Sequence, residues 1–150
     1  MRIFIDADAC PVKAEAYKVA ARYGLATTVV ANSFIAVPPS KLIERMIVEA
    51  GPDVADDWIA ERCEPGDIVV TNDIPLAERV LKAGGTAIAP NGRLFTTDSI
   101  GAALASRAIG EHMRSTGEIT GGPRPFAPAD RSRFLQALDE AVNRERRKRR

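Results

Sequence analysis

RIFIDADACPVKAEAYKVAARYGLATTVVA (residues 2–31) sets a strand, a helix and a second strand within thirty residues. RIFI (2–5) is a short apolar strand. PVKAEAYKVAARYG (11–24) follows with helical character: Pro11 suits a first helical turn, where its missing N–H is not needed, and Gly24 suits the stop. TTVVA (27–31) is a β-branched strand. A helix between two strands predicts a parallel βαβ unit. At the first junction stand two carboxylates, Asp6 and Asp8, with the thiol of Cys10 behind them. Taken alone, this junction fits a capped strand-to-helix turn as well as a metal site at the carboxyl end of a strand.

The same alternation continues along the chain. NSFIAVPPSK (32–41) is a loop that holds Phe34, Ile35 and Val37 beside two prolines, apolar residues expected to tuck under the domain or to meet another subunit. LIERMIVEAG (42–51) allows a helix by its charges, but a short turn followed by a strand fits better before Gly51-Pro52. DVADDWIAERC (53–63) reads as a helix with Val54, Trp58 and Ile59 on its apolar side. Asp53, Asp56 and Asp57 lie in its first turn, where the helix dipole favours acids, and Asp53 suits the N-cap. DIVVT (67–71) is an apolar strand, Pro75–Lys82 a helix and TAIAP (86–90) another strand. Asn91-Gly92 makes a tight turn into a short strand at RLF (93–95). Asp98 or Thr97 is placed to cap a helix reaching about Met113. GEITGGPRPFAP (117–128) is a linker, and another helix begins near Ala129 and Asp130. The sheet is therefore expected to be mostly parallel and covered on both faces.

At 150 residues the chain suits one domain, here 1–143 with the basic run 144–150 set apart. Charged residues at 27% and hydrophobic ones at 45% exclude general disorder. No apolar run approaches the ~20 residues of a membrane-spanning helix, and the amino terminus does not resemble a signal peptide. Two cysteines, Cys10 and Cys63, make no disulfide framework, so a cytoplasmic protein with reduced thiols is expected. RERRKRR (144–150) carries six basic residues and one acid, which leaves the preceding 143 residues at about −4. Such a run is expected to fray into solvent, though it also suits contact with phosphate backbones.

In a parallel sheet the carboxyl ends of the strands share one edge, and ligands bind outside it. Asp6 and Asp8 follow the first strand, Asp73 follows DIVVT, and Asp53, Asp56 and Asp57 open a helix at the same edge. Carboxylates brought together repel one another unless they are spread into water, share protons or hold a cation. Hard oxygen ligands suit Mg²⁺ or Mn²⁺, and two such ions can activate a water and stabilise the leaving oxygen of a phosphodiester. The bland alternatives are a turn residue at Asp6, an N-cap at Asp73 and dipole-complementing surface acids at Asp56 and Asp57.

DADACPVK (6–13), GPDVADDWIAERCEPGDIVVTNDIPLA (51–77) and TGGPRP (120–125) resemble the YaiI/YqxD family of small bacterial proteins, over nearly the whole chain. That family is grouped with PIN-like domains, which are mostly metal-dependent ribonucleases. The resemblance implies a three-layer α/β/α sandwich of PIN-like type. VADDWIA (54–60) followed by IVVTNDIPLA (68–77) is also similar to the pattern of flap and 5′-nucleases. Carried over by motif, Asp6, Asp57 and Asp73 would be the catalytic metal ligands, with Asp8 and Asp56 assisting. Thr71 and Asn72 would orient the strand-end carboxylate. The chain departs from that pattern at Val54, where those nucleases usually carry another acid; Asp53 is displaced from it by one residue, or roughly 100° around a helix.

The expected activity is that of a Mg²⁺- or Mn²⁺-dependent nuclease, acting on RNA rather than DNA by this analogy, with assembly into a homo-oligomer left open. Two rivals stand beside it. A haloacid-dehalogenase-like phosphohydrolase would use Asp6 as nucleophile and Asp8 as general acid/base, but its late acidic pair is missing. A non-catalytic metal- or RNA-binding module would use the same cleft, with Lys13, Lys41 and the basic run on phosphates. Cys10 has no evident base, since His112 lies in a distant late helix, and a packed thiol is the plainer expectation.

Overall fold

The computed structural model describes residues 1–102 and 126–148. Five strands form one sheet, all parallel: β1 (Ile3–Asp6), β2 (Thr27–Ala31), β3 (Ile43–Ile47), β4 (Ile68–Val70) and β5 (Thr86–Ile88), in the order β3-β2-β1-β4-β5. The helices are α1 (Lys13–Tyr23), α2 (Val54–Arg62), α3 (Ile74–Lys82) and α4 (Pro128–Lys148), with a further helical stretch over 97–102.

Alternate side chains of each strand enter opposite cores, as the two-residue period of a strand requires. Ile3, Ile5, Val29, Ile68, Val70 and Ile88 face one side, where α1 brings Ala16 and Val19, and α4 brings Phe134, Leu138 and Val142. Phe4, Val30, Val69 and Ala87 face the other, against Ile59 of α2 and Leu76, Ala77 and Val80 of α3. Helices thus cover both faces of the sheet, and an α/β sandwich results.

Several local expectations are corrected. Pro11 and Val12 form a turn, and α1 starts at Lys13 rather than Pro11. The chain first makes a 3-10 turn over Ala7–Ala9. Gly24 does end α1, in the left-handed region at φ 65°. RLF supplies only an isolated antiparallel bridge from Leu94 to Ile88. The helical stretch from 97 is capped by neither Asp98 nor Thr97: Thr96 Oγ1 accepts from the Ser99 amide at 3.0 Å, and Ser99 Oγ accepts from the Thr96 amide at 2.8 Å. Such a reciprocal pair satisfies two amides that the first helical turn leaves open. Asp53 precedes α2 in a left-handed conformation, φ 66°, and its carboxylate makes no capping bond. Residues 144–148 continue α4 instead of fraying, with Glu145 buried and Arg146 over the Tyr23 ring. The expected helix end at Met113, His112 and residues 117–125 of the linker lie outside the described residues.

Ile35 and Val37 do tuck against the core beside α1, whereas Phe34 is 73% exposed beneath the Arg45 guanidinium. Across the middle of the sheet the connections diverge. From β1 the chain turns to β2 and β3 on one side, then returns to lay down β4 and β5 on the other. A crevice opens at such a reversal, outside the carboxyl ends of β1 and β4.

Candidate functional site

Asp6 is the last residue of β1, and the register that pairs Ile5 with Val70 brings it beside Thr71, just past β4. The buried Thr71 hydroxyl donates to Asp6 Oδ2 at 2.8 Å and accepts from the Asp73 amide at 2.9 Å. Asp73 is the N-cap of α3, with Oδ1 accepting from the Leu76 amide at 2.7 Å. One hydroxyl therefore ties the two strand-end acids into a fixed frame. Asp6, Asp8, Asn72, Asp73 and Pro90 line the resulting cleft, of about 290 Å³.

The third acid comes from α2. Asp56 lies near enough to Asp73 and Asp6 to feel both charges, and its carboxyl is pushed up to about 7. Burial is the main cause, followed by the charges of Asp73 and Asp6. Asp6 is also raised, first by burial and then by Asp8 and Asp73, while the Thr71 hydroxyl pulls the other way. The three acids share one electrostatic environment, and the repulsion expected of crowded carboxylates is present in it.

Asp57 is turned to α3, where it pairs with Arg79, and is not among the residues that line the cleft. Asp8 sits at the exposed rim, both of its oxygens 3.3 Å from the Asn32 amide. Asn72 lines the cleft with an exposed side chain. Lys13 is occupied elsewhere: its ammonium donates to the Cys10 carbonyl at 2.7 Å and to that of Ala7 at 3.4 Å, bracing the 3-10 turn. Cys10 is buried, and burial pushes its thiol up, as suits a packed residue.

Sequence reasoning passed over Pro90 and, by the resemblance, put Asp57 ahead of Asp56. Ile59 is the residue of that helix most fully buried against the sheet. Residues three apart share a helical face, so Ile59 selects Asp56, not Asp57, for the side facing the sheet.

Among the described residues, no three acid, histidine or cysteine side chains converge to hold a metal ion as they stand. The donor chemistry of Asp6, Asp56 and Asp73 is nonetheless all hard oxygen. Mg²⁺ is commonly held by one or two carboxylates, with water and substrate phosphates completing the shell. That requirement is within reach of this cluster.

A parallel α/β protein with acids from β1, α2 and α3 gathered at its topological switch point is the class that fold and cleft define. The chain belongs to the YaiI/YqxD family: the model described as "Uncharacterized BCR, YaiI/YqxD family" matches residues 4–144. A UPF0178 protein of Caulobacter vibrioides is 74% identical over 140 residues, covering 93% of this chain and 92% of the relative. One from another Caulobacter species is 70% identical over 145 residues, 97% of this chain and 96% of its own length. One from Rhodopseudomonas palustris is 64% identical over 148 residues, 99% and 94% respectively. No solved structure matches the chain.

Among the described residues, no helix is long and apolar enough to cross a membrane.

Proposed function

We propose that the chain is a PIN-like, divalent-metal-dependent nuclease that hydrolyses phosphodiesters in RNA, in a cytoplasmic setting. The observation that carries this reading is the crowding of Asp6, Asp56 and Asp73 at the switch point, with Asp56 pushed up to about 7. Acids held together at the cost of their own repulsion are what a cation site requires. The choice of RNA over DNA rests on the resemblance to PIN-like domains.

Asp6 and Asp73 would hold Mg²⁺ or Mn²⁺, with Asp56 joining once its proton leaves and Asp8 assisting through water from the rim. Such a metal, when bound, would supply charge neutralisation for the phosphate and an activated water. The protein's own residues set the frame. Thr71 fixes Asp6 in orientation, and the Asp73 cap on α3 holds the second acid against it. Asp56, pushed up to about 7, has to lose its proton before it can join the other acids. Asp57, paired with Arg79, is left to support the α2–α3 contact.

The test uses rigorously purified wild-type protein beside Asp6→Asn and Asp73→Asn, on single- and double-stranded RNA and DNA with Mn²⁺. Cleavage of RNA that falls at least a hundredfold in both variants is expected. Cleavage persisting equally in the variants would mean a contaminant and sink the proposal. Metal binding without cleavage would favour a non-catalytic binding module, and a phosphoryl adduct trapped on Asp6 would favour a phosphohydrolase.

A further inference from the structure

A second pocket, of about 220 Å³, adjoins the acid cleft and shares Asn72 with it. Ile74, Leu94 and Phe95 give it apolar and aromatic surface, while Asn72, Asn91 and Arg93 give it amide and guanidinium groups. We propose that this pocket binds one nucleotide of a single-stranded nucleic acid, with Arg93 on a phosphate and the base against Leu94 and Phe95. The inference rests on the phosphodiester reading above and extends it to a neighbouring subsite.

Charge is the first argument. A phosphate strand entering beside Asp6, Asp56 and Asp73 meets repulsion and requires a nearby cation other than a metal. Among the described residues, several basic groups are already engaged. Lys13 holds the Ala7 and Cys10 carbonyls, Arg131 holds the Pro11 carbonyl and faces Glu15, and Arg133 pairs with Asp130. Arg93 is exposed, and its guanidinium has no hydrogen bond or ion pair among the described residues. A guanidinium presents a planar fork of donors matched to phosphate oxygens.

Preorganisation is the second. The turn over 89–93 is closed by the Gly92 amide on the Ala89 carbonyl, the Ala89 amide on the Arg93 carbonyl, and the Arg93 amide on Asn91 Oδ1. Gly92, at φ 90°, lies so close to α4 that a Cβ there would come within 2.6 Å of the Arg133 backbone. The backbone that carries Arg93 is thereby clamped against a helix, so little ordering remains for a ligand to impose.

Composition and size are the third. Apolar surface joined to a few polar groups is the usual make-up of a small-ligand site, and whole drug-sized ligands take about 300–1,000 Å³. A smaller pocket beside a cleft suits one unit of a longer chain. Unstacked bases of single strands lie on aromatic side chains where paired bases cannot.

The experiment titrates wild-type protein in EDTA with adenosine 5′-monophosphate, and separately with inorganic phosphate, following backbone amides by NMR. Expected are shifts at Asn72, Asn91, Arg93 and Phe95, with the nucleotide binding more tightly than phosphate. Arg93→Ala should weaken binding about tenfold or more, the loss of a hydrogen bond to a charged group, and Arg93→Lys should restore part of it. Affinity unchanged in Arg93→Ala, shifts located elsewhere, or equal affinity for phosphate and nucleotide would each overturn the subsite. Because no metal or cleavage enters this measurement, its failure is distinct from that of the nuclease reading. RNA cleavage without nucleotide binding removes the subsite alone, and binding without cleavage removes the hydrolytic reading alone.

Discussion

Asp56 shows what one carboxyl does to the whole chain. Its native pKa is raised from 3.8 to about 7, so between those values the folded protein keeps a proton that the unfolded chain has released. This contribution to stability is fully present below about pH 4 and is lost as pH rises through about 7. Asp56→Asn should therefore raise the urea-unfolding free energy of metal-free protein at pH 8, by about 1 kcal/mol once solvent screening is allowed for, and give no gain at pH 4. An equal effect at both values would mean that Asp56 does not titrate in this way. The sequence announced an acid pair, and the resemblance put Asp57 ahead of Asp56 as the ligand, whereas Asp56 is the member on the sheet-facing side. That choice follows from the helical phase set by Ile59, and it becomes visible only when the start of α2 is known.

At the level of elements, α3 begins on a residue with two duties. Asp73 caps the helix through the Leu76 amide and also contributes charge to the cleft. Asparagine can perform the first duty and not the second. Asp73→Ala is expected to cost about 1 kcal/mol of stability, while Asp73→Asn should leave stability unchanged or higher, since it removes repulsion. Both should abolish metal-dependent cleavage, and thermal melts read beside activity separate the two duties.

The strands and helices rich in one pattern were legible: TTVVA runs over the same residues, 27–31, in sequence and structure. Less legible were the ends. Pro11 satisfies the rule for a first helical turn, but the 3-10 turn braced by Lys13 delays α1 by two residues. Thr96 took the cap expected of Thr97 or Asp98 because its partner Ser99 supplies the reciprocal bond. Such choices depend on side-chain pairs that a propensity cannot rank.

For the molecule as a whole, the strand order fixes which chemistry is adjacent. Alternating strands and helices pointed to a parallel sheet with acids at one edge, yet the order β3-β2-β1-β4-β5 is what sets Asp6 beside Thr71. The basic run was a different matter. α4 starts beside the cleft edge, with Arg131 on the Pro11 carbonyl, and ends beside Tyr23 at the far end of α1. A 21-residue helix spans about 30 Å, so Arg144, Arg147 and Lys148 stand well away from the acids. Replacing these three with glutamine should leave cleavage of a short oligonucleotide within about twofold, because screened charges act over roughly 8–10 Å. Binding of long RNA should become less salt-dependent. A large loss on the short substrate would place the run near the cleft in solution.

The covering of one sheet face by α4 also has a consequence for how the protein is made. Ile3, Ile5, Ile68, Val70 and Ile88 belong to segments that leave the ribosome well before Phe134, Leu138 and Val142 arrive to cover them. At about 5–20 residues per second, the nascent chain carries this face covered only by α1 for several seconds. During that interval it is exposed to self-association and to chaperones, and the closing of that face waits on the emergence of α4.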